Sequence, residues 1–265
     1  GYKHILAYDH VVGAHRGSPA RPNWQGPYDH TNPFHEPFVL FGYWAGMTSR
    51  IEFATGVIIL AQRQAVLVAK QAAALDVLSR GRLRLGVGIG WNAVEYEALG
   101  QNFKNRGQRS EEQVTLMRRL WTEELVTFEG KYHKVVDAGI NPLPVQRPIP
   151  VWFGGNAEAL IERVGRMGDG WLPIRELPGD NFAAMIGRMR DYAQKAGRDP
   201  KSIGIESWVS IVNRPVEEAL KDIERWRGLG ASHISLQTMS GGFTRPDQYI
   251  AAIRRFRDAA PELFR

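Results

Sequence analysis

The chain has 265 residues, of which 43% are hydrophobic and 23% charged, values of a globular protein large enough to bury a sizeable core. A formal charge of +6 invites a nucleic-acid partner, but the basic residues are scattered among acids and no nucleic-acid motif is present, so the excess suits an anionic cofactor or substrate instead. Cysteine is absent, which excludes disulfides, thiolate metal sites and a cysteine nucleophile, and no apolar run reaches the roughly 20 residues that cross a bilayer; a cytoplasmic protein with no membrane partner is expected.

Lys3–Tyr8 reads as a strand ending in Asp9-His10. The Pro/Gly-rich loop Gly13–Pro37 follows, long enough to serve as a lid or substrate loop. Phe38–Met47 is predicted helical, and the alternating run Ile51–Ile58 is the next strand. Ala65–Leu78 is a helix closed by Gly81 just beyond its last turn. Leu83–Val87 is a strand that breaks into Gly88-Ile-Gly90-Trp91-Asn92, where another helix starts. Ser110–Glu123 carries Val114, Met117, Leu120 and Trp121 on one stripe, with Ser110 placed to cap its first turn.

The segment 126–150 breaks the alternation. Val126–His133 looks like a hairpin, and Pro142, Pro144, Pro148 and Pro150 bar a helix, so it reads as an excursion from the main sheet. Val151–Phe153 resumes the sheet, and Gly154-Gly155-Asn156 leads into a helix over Ala157–Met167. Gly170–Leu172 is a short strand. Asn181–Ala196 is a helix with Phe182, Met185, Ile186, Met189 and Tyr192 inward. Ile203–Val212 and Ser232–Gln237 are strands, Val216–Arg227 is a helix opened by Pro215, and Asp247–Ala259 is the last helix.

Strands alternating with helices build a parallel sheet. The expected class is α/β, a TIM (β/α)8 barrel forming one domain over 1–265, with the excursion at about 126–150. Seven main strands are counted where a closed barrel has eight, so the first βα unit is expected to be absent from this chain; an open doubly wound sheet is the competing fold.

In such a barrel, chemistry gathers at the carboxyl ends of the strands. His10 is the candidate proton donor or acceptor, with Asp9 beside it as an anchoring acid; hydrogen-bonded scaffolding is the plain alternative. Gly154-Gly155-Asn156 before a helix fits a phosphate cradle, or equally a tight turn with Asn156 as N-cap. Gly88 and Gly90 resemble part of a dinucleotide fingerprint that Gly100 comes too late to complete. Of Trp24, Trp44, Trp91 and Trp171, only Trp91 and Trp171 sit at strand ends where an indole would stack on a planar ring. Glu95 either binds or decorates a first helical turn. The histidines show no metal-ligand spacing, so no metal is expected.

The ordered set of segments Tyr8-Asp-His10, Ala54-Thr-Gly-Val-Ile58, Ala69–Asp76 with Ser79–Arg82, Gly86–Asn92 with Glu95-Tyr96, Phe128–Tyr132, Pro142–Gln146, Pro150–Asn156 and Gly168–Trp171 resembles the luciferase-like monooxygenase superfamily of flavin- and deazaflavin-dependent barrels. The resemblance implies a ring cofactor on a bulged strand, with a non-proline cis peptide mapping to Gly56-Val57. It implies a phosphate-bearing tail running past Gly88, Gly90, Trp91 and Asn92 toward Gly154, Gly155 and Asn156, with Asp9 at a cofactor-contacting position. His10 matches an active-site acid of some deazaflavin-dependent relatives; those relatives carry a Glu where this chain has Trp91, which argues against a copied sugar-phosphate dehydrogenase mechanism.

The resulting expectation is an oxidoreductase that uses coenzyme F420 to move a hydride to or from a small organic substrate. The alternatives are an FMN-dependent luciferase-like monooxygenase and a non-catalytic cofactor-binding barrel, with a phosphosugar isomerase-like barrel weaker still. A homodimer is implied by the resemblance alone.

Overall fold

The first strand, β1 (His4–Ala7), takes up the apolar run that opens the sequence, and its two halves belong to different compact units: one is Leu6–Val151, the other Gly1–Ile5 together with the chain from Trp152 onward. The computed structural model describes residues 1–174 and 177–264.

In the unit Leu6–Val151, the carbonyl of Ala7 accepts from the N–H of Gly56 at 2.8 Å. Helix α1 (Pro37–Met47) starts where the Glu36 side chain accepts from the N–H of Val39 and proline occupies the first turn. The single strand expected over Ile51–Ile58 is divided into β2 (Glu52–Thr55) and β3 (Ile58–Ile59), with a cis peptide, Gly56-Val57, between them. Helix α2 (Ala65–Ser79) closes with Arg80 itself left-handed at φ 61°, followed by Gly81, whose N–H reaches the carbonyl of Asp76 at 2.8 Å. Strand β4 (Leu83–Gly88) is buried along its whole length and pairs in parallel with β2 (Phe53 opposite Leu83) and β3 (Ile58 opposite Val87). Between α2 and β4, the Arg82 guanidinium donates to the carbonyls of Ala45, Thr48, Ile51 and Ser79, satisfying the last turn of α1.

Helix α3 (Ala93–Ala98) follows β4, and α4 (Arg106–Thr122) then begins four residues before the predicted start at Ser110. Ser110 is not its cap: the hydroxyl donates back to the Gly107 carbonyl at 2.8 Å from inside the helix. The excursion contains a hairpin, β5 (Val126–Glu129) antiparallel to β6 (Lys134–Ala138), whose second strand begins just past the segment Val126–His133 where the sequence placed it. Glu112 on α4 holds its turn by accepting from the N–H groups of Lys131, Tyr132 and His133. Further on, the buried carboxylate of Asp76 accepts from the backbone and side-chain amides of Gln146, which docks the proline-rich stretch on α2.

The other unit takes up β7 (Val151–Gly154) from its second residue and contains α5 (Glu158–Met167), β8 (Gly170–Leu172), α6 (Asp180–Lys195), β9 (Gly204–Ser210), α7 (Val216–Gly228), β10 (His233–Gln237) and α8 (Pro246–Ala259). Its strands run parallel in the order β7-β8-β9-β10. Phe182, Met185, Ile186 and Met189 of α6 are buried as predicted, but Ala193 takes the next inward position and the Tyr192 hydroxyl reaches Glu158 at 3.0 Å. In the same unit, His4 Nε2 lies 2.8 Å from Glu206 Oε1 and 3.0 Å from Ser235 Oγ, fastening the start of the chain to β9 and β10. No helix among the described residues is long and apolar enough to cross a membrane.

Candidate active site

In the unit Leu6–Val151, Asp9 and His10 follow β1 directly and diverge in environment. Asp9 is 2% exposed; Oδ2 accepts from the N–H of Ile59 at 3.0 Å and from Arg63 Nε at 3.2 Å, and Oδ1 from Arg63 Nη2 at 2.7 Å. Arg63 also lies 3.1 Å from Glu36. Burial alone would lower its pKa, but the charge of Asp9 and then of Glu36 outweigh burial, and it is raised. A bidentate pair of this kind is rigid. It fixes Ile59, two residues beyond the cis bond, relative to the end of β1.

His10 stands beside it in an aromatic setting. Its ring lies 3.9 Å from Tyr28 and 4.7 Å from Phe34, centroid to centroid. Its Nδ1 is 3.5 Å from Glu95 Oε1, near enough for charge attraction but outside hydrogen-bond geometry. Glu95 is 2% exposed and takes the N–H of Val11 at 2.7 Å, so the residue that the sequence left open is a buried anchor for the turn after His10. The Tyr28 hydroxyl accepts from Asn92 Nδ2 at 2.7 Å. Burial first, and then Glu95, raise its pKa against the opposing Asn92 bond, which keeps it a neutral phenol. Tyr28 and Arg63 were not among the sequence candidates; their contacts span 64 and 54 residues of chain and leave no local pattern.

Asn92 is the N-cap of α3, its Oδ1 accepting from the Val94 N–H at 3.0 Å while its amide holds Tyr28. Gly90 has φ 66°, and a Cβ there would stand 2.7 Å from Ile59 Cγ2, so β4's end must be glycine to pass the bulge. Gly56 is equally crowded, against Leu6. Gly88 is the last residue of β4, paired with Ile59. Tyr96 pins this turn by donating to the carbonyl of Ile89 at 2.6 Å, its pKa pushed up to about 12 by burial. Trp91 is 48% exposed.

Loop Gly13–Pro37 shapes two cavities. One of about 300 Å³ is lined by His10, Gly13, His30, Asn32 and Phe34. The other, about 600 Å³, is lined by Trp24, Gly26, Trp91 and Asn92 among others. Tyr28 contacts residues of both, at 3.9 Å from His10 and 5.7 Å from Trp91. Tyr28 thus neighbours His10 of the one cavity and Trp91 of the other. Immediately after β3, the side chain of Gln62 is 2% exposed with neither amide atom satisfied by protein, the kind of buried group that calls for a bound partner.

In the other unit, Gly154 ends β7 and Gly155 adopts φ 129°, its N–H bonded to the Leu172 carbonyl at 3.1 Å. Asn156 is not the cap of α5. That position belongs to Ala157, whose methyl side chain makes no capping bond. Asn156 instead clamps residue 174, its Oδ1 accepting from the Ile174 N–H at 3.0 Å and its amide donating to the Ile174 carbonyl. Trp171 is no stacking platform: it is fully buried, stacked on Phe182 at 4.9 Å, with its indole N–H on the Gly155 carbonyl at 2.7 Å. Among the described residues, no group of three or more His, Asp or Glu side chains is placed to hold a metal.

The model of the luciferase-like monooxygenase family matches residues 6–262. The chain belongs to that family. An F420-dependent glucose-6-phosphate dehydrogenase of Intrasporangium calvum is 40% identical over 218 residues, 76% of this chain and 64% of that protein. An uncharacterized protein of Mycobacterium tuberculosis is 33% identical over 201 residues, 75% of this chain and 68% of its own length. The chain thus spans about two thirds of these relatives. Among solved structures, the monooxygenase RslO1 of Streptomyces bottropensis superposes with a TM-score of 0.76 at 22% identity, covering 96% of this chain and 85% of that one. The coenzyme F420-dependent tetrahydromethanopterin reductase of Methanopyrus kandleri gives 0.75 at 16% identity, over 99% and 91%. These likenesses establish the luciferase-like α/β barrel class and set aside the open doubly wound sheet. Family membership makes the protein an oxidoreductase of the luciferase-like type.

Proposed function

We propose that the chain binds coenzyme F420 and transfers a hydride between it and a small organic substrate. The carrying observation is the conjunction at the end of β1 and the bulge. The Asp9–Arg63 pair fastens the backbone just beyond Gly56-Val57, where the family resemblance puts the cofactor ring, and His10 lies at the rim of an adjoining cavity. The residues fit such a group. Gly56 and Gly90 let the chain pass close to Leu6 and Ile59, and Gln62 offers an unsatisfied buried amide just after the bulge.

Bound F420 supplies the hydride chemistry; the protein supplies position and a proton. Gly56, Val57, Gly88 and Gly90 line the ring. Asp9 acts through Arg63 and Ile59, holding the bulge. His10 gives a proton to the substrate oxygen during reduction and takes it back during oxidation. FMN is the second candidate, favoured by the likeness to a flavin-bound monooxygenase component of Pseudomonas putida with a TM-score of 0.63. The likeness to the Intrasporangium calvum and Methanopyrus kandleri proteins supports F420. Titrating purified protein with F420 and with FMN, following quenching of ring fluorescence, separates the two: saturation by F420 alone is expected, and saturation by FMN alone would replace the reading with a monooxygenase.

A second copy of the chain is the proposed protein partner. Val39, Tyr43 and Met47 form a stripe along α1 at 73%, 67% and 67% exposure, an apolar face of the kind that pairs with its own copy.

A further inference from the structure

The larger cavity carries information about the substrate that family membership does not. Its volume of about 600 Å³ lies within the range of small-molecule pockets. Its walls come from two places only, residues 21–27 of the long loop and residues 91–94 at the end of β4. Both contribute an indole. A Cβ placed on Gly26 would meet Trp24 Cζ2 at 2.4 Å and Trp91 Cη2 at 2.7 Å, so the two rings close on the same glycine. Tyr28 backs them edge-on, 6.4 Å from Trp24 and 5.7 Å from Trp91. Trp91 nevertheless remains half exposed, which is costly for an indole unless something covers it.

The electrostatics are equally specific. Arg21 is the single charged side chain in the lining, and its Nη2 is committed to Glu97 Oε2 at 2.7 Å. The neighbouring helix α3 has only six residues and carries Glu95 in its first turn, so it offers a phosphate nothing. We propose that this cavity receives the ring end of the substrate, with Tyr28 shared between it and the cavity that His10 lines, and that it takes a flat, uncharged group, that of an aryl or conjugated ketone or the corresponding alcohol, held against Trp24 and Trp91, and not a phosphorylated sugar. The inference rests on the hydride-transfer reading above and narrows its substrate class.

The test is binding, with 2-acetylnaphthalene as the flat ketone and glucose 6-phosphate as the anionic sugar, each titrated against tryptophan fluorescence and by calorimetry, with and without F420. Saturable binding of the ketone and none of the sugar phosphate is expected, with the ketone binding about tenfold more weakly to Trp91→Ala, the loss of one aromatic face. Trp91→Ala removes an exposed side chain, and Trp24→Phe, which keeps a ring, is expected to weaken binding less. Saturation by glucose 6-phosphate, equal ketone affinity in Trp91→Ala, or absence of ketone binding would overturn the assignment. Displacement of the ketone by F420 would also overturn it, by giving this cavity to the cofactor. Ketone binding in a protein that binds neither F420 nor FMN would leave the pocket assignment standing and remove the hydride-transfer reading.

Discussion

Replacing Asp9 with alanine is expected to loosen the bulge without touching the core. The substitution deletes the acceptor of three bonds, two from Arg63 and one from the N–H of Ile59. Breaking a buried pair by removing one partner costs about 3–5 kcal/mol, because the surviving charge stays buried. Arg63 is 14% exposed and keeps its 3.1 Å contact with Glu36, which places the loss near the lower end, about 3 kcal/mol. For a chain of this size that is a fall in Tm of roughly 6–12 °C. Circular dichroism melts of the wild type, Asp9→Ala, Arg63→Met and the double variant give the pairwise term directly. The double variant is expected to be less destabilised than the sum of the singles by more than about 1 kcal/mol. A melting point of Asp9→Ala within about 2 °C of the wild type, or strict additivity, would refute the argument that this pair sets the strand-end geometry.

His10→Asn is expected to leave F420 affinity unchanged while lowering kcat by about 10²–10⁴, the range of a lost general acid or base; steady-state turnover beside a fluorescence titration checks both halves. Burial opposes ionisation of Glu112, but its bonds from the His133 side chain and from three backbone N–H groups prevail and hold its pKa below the ordinary 4.5. Its stabilising contribution is therefore full above pH 4.5 and disappears as pH falls through the lowered folded value, so urea midpoints of the wild type and Glu112→Gln should differ at pH 7 and converge in acid. A gap that widens in acid would show the sign to be wrong. Tyr43→Lys places a charge in the α1 stripe and should convert a dimer to a monomer by light scattering, whereas a wild-type monomer would dismiss the second-copy proposal.

The alternation of strands and helices was legible because parallel strands read as apolar runs and helices as stripes; β4 is buried at every position and α6 buries the predicted face. Helix α4 was cut short in the sequence reading because its first turn contains Arg106 and Gly107, poor signals that tertiary contacts override. The break at Gly56-Val57 leaves no periodic trace; it came from the resemblance. Asn92 was legible as the residue opening a helix, but its bond to Tyr28 was not, since Tyr28 sits in a loop without pattern. The same holds for His4 with Glu206, which are 202 residues apart. Trp171 illustrates the opposite failure: a tryptophan at a strand end looked available, and packing on Phe182 consumed it.

The most direct test is the structure of the protein co-crystallised with F420. Ordered density for the tricyclic ring against the Gly56-Val57 peptide is the predicted result. A well-ordered ring bound elsewhere, or crystals grown in saturating F420 and FMN that hold neither, would contradict it.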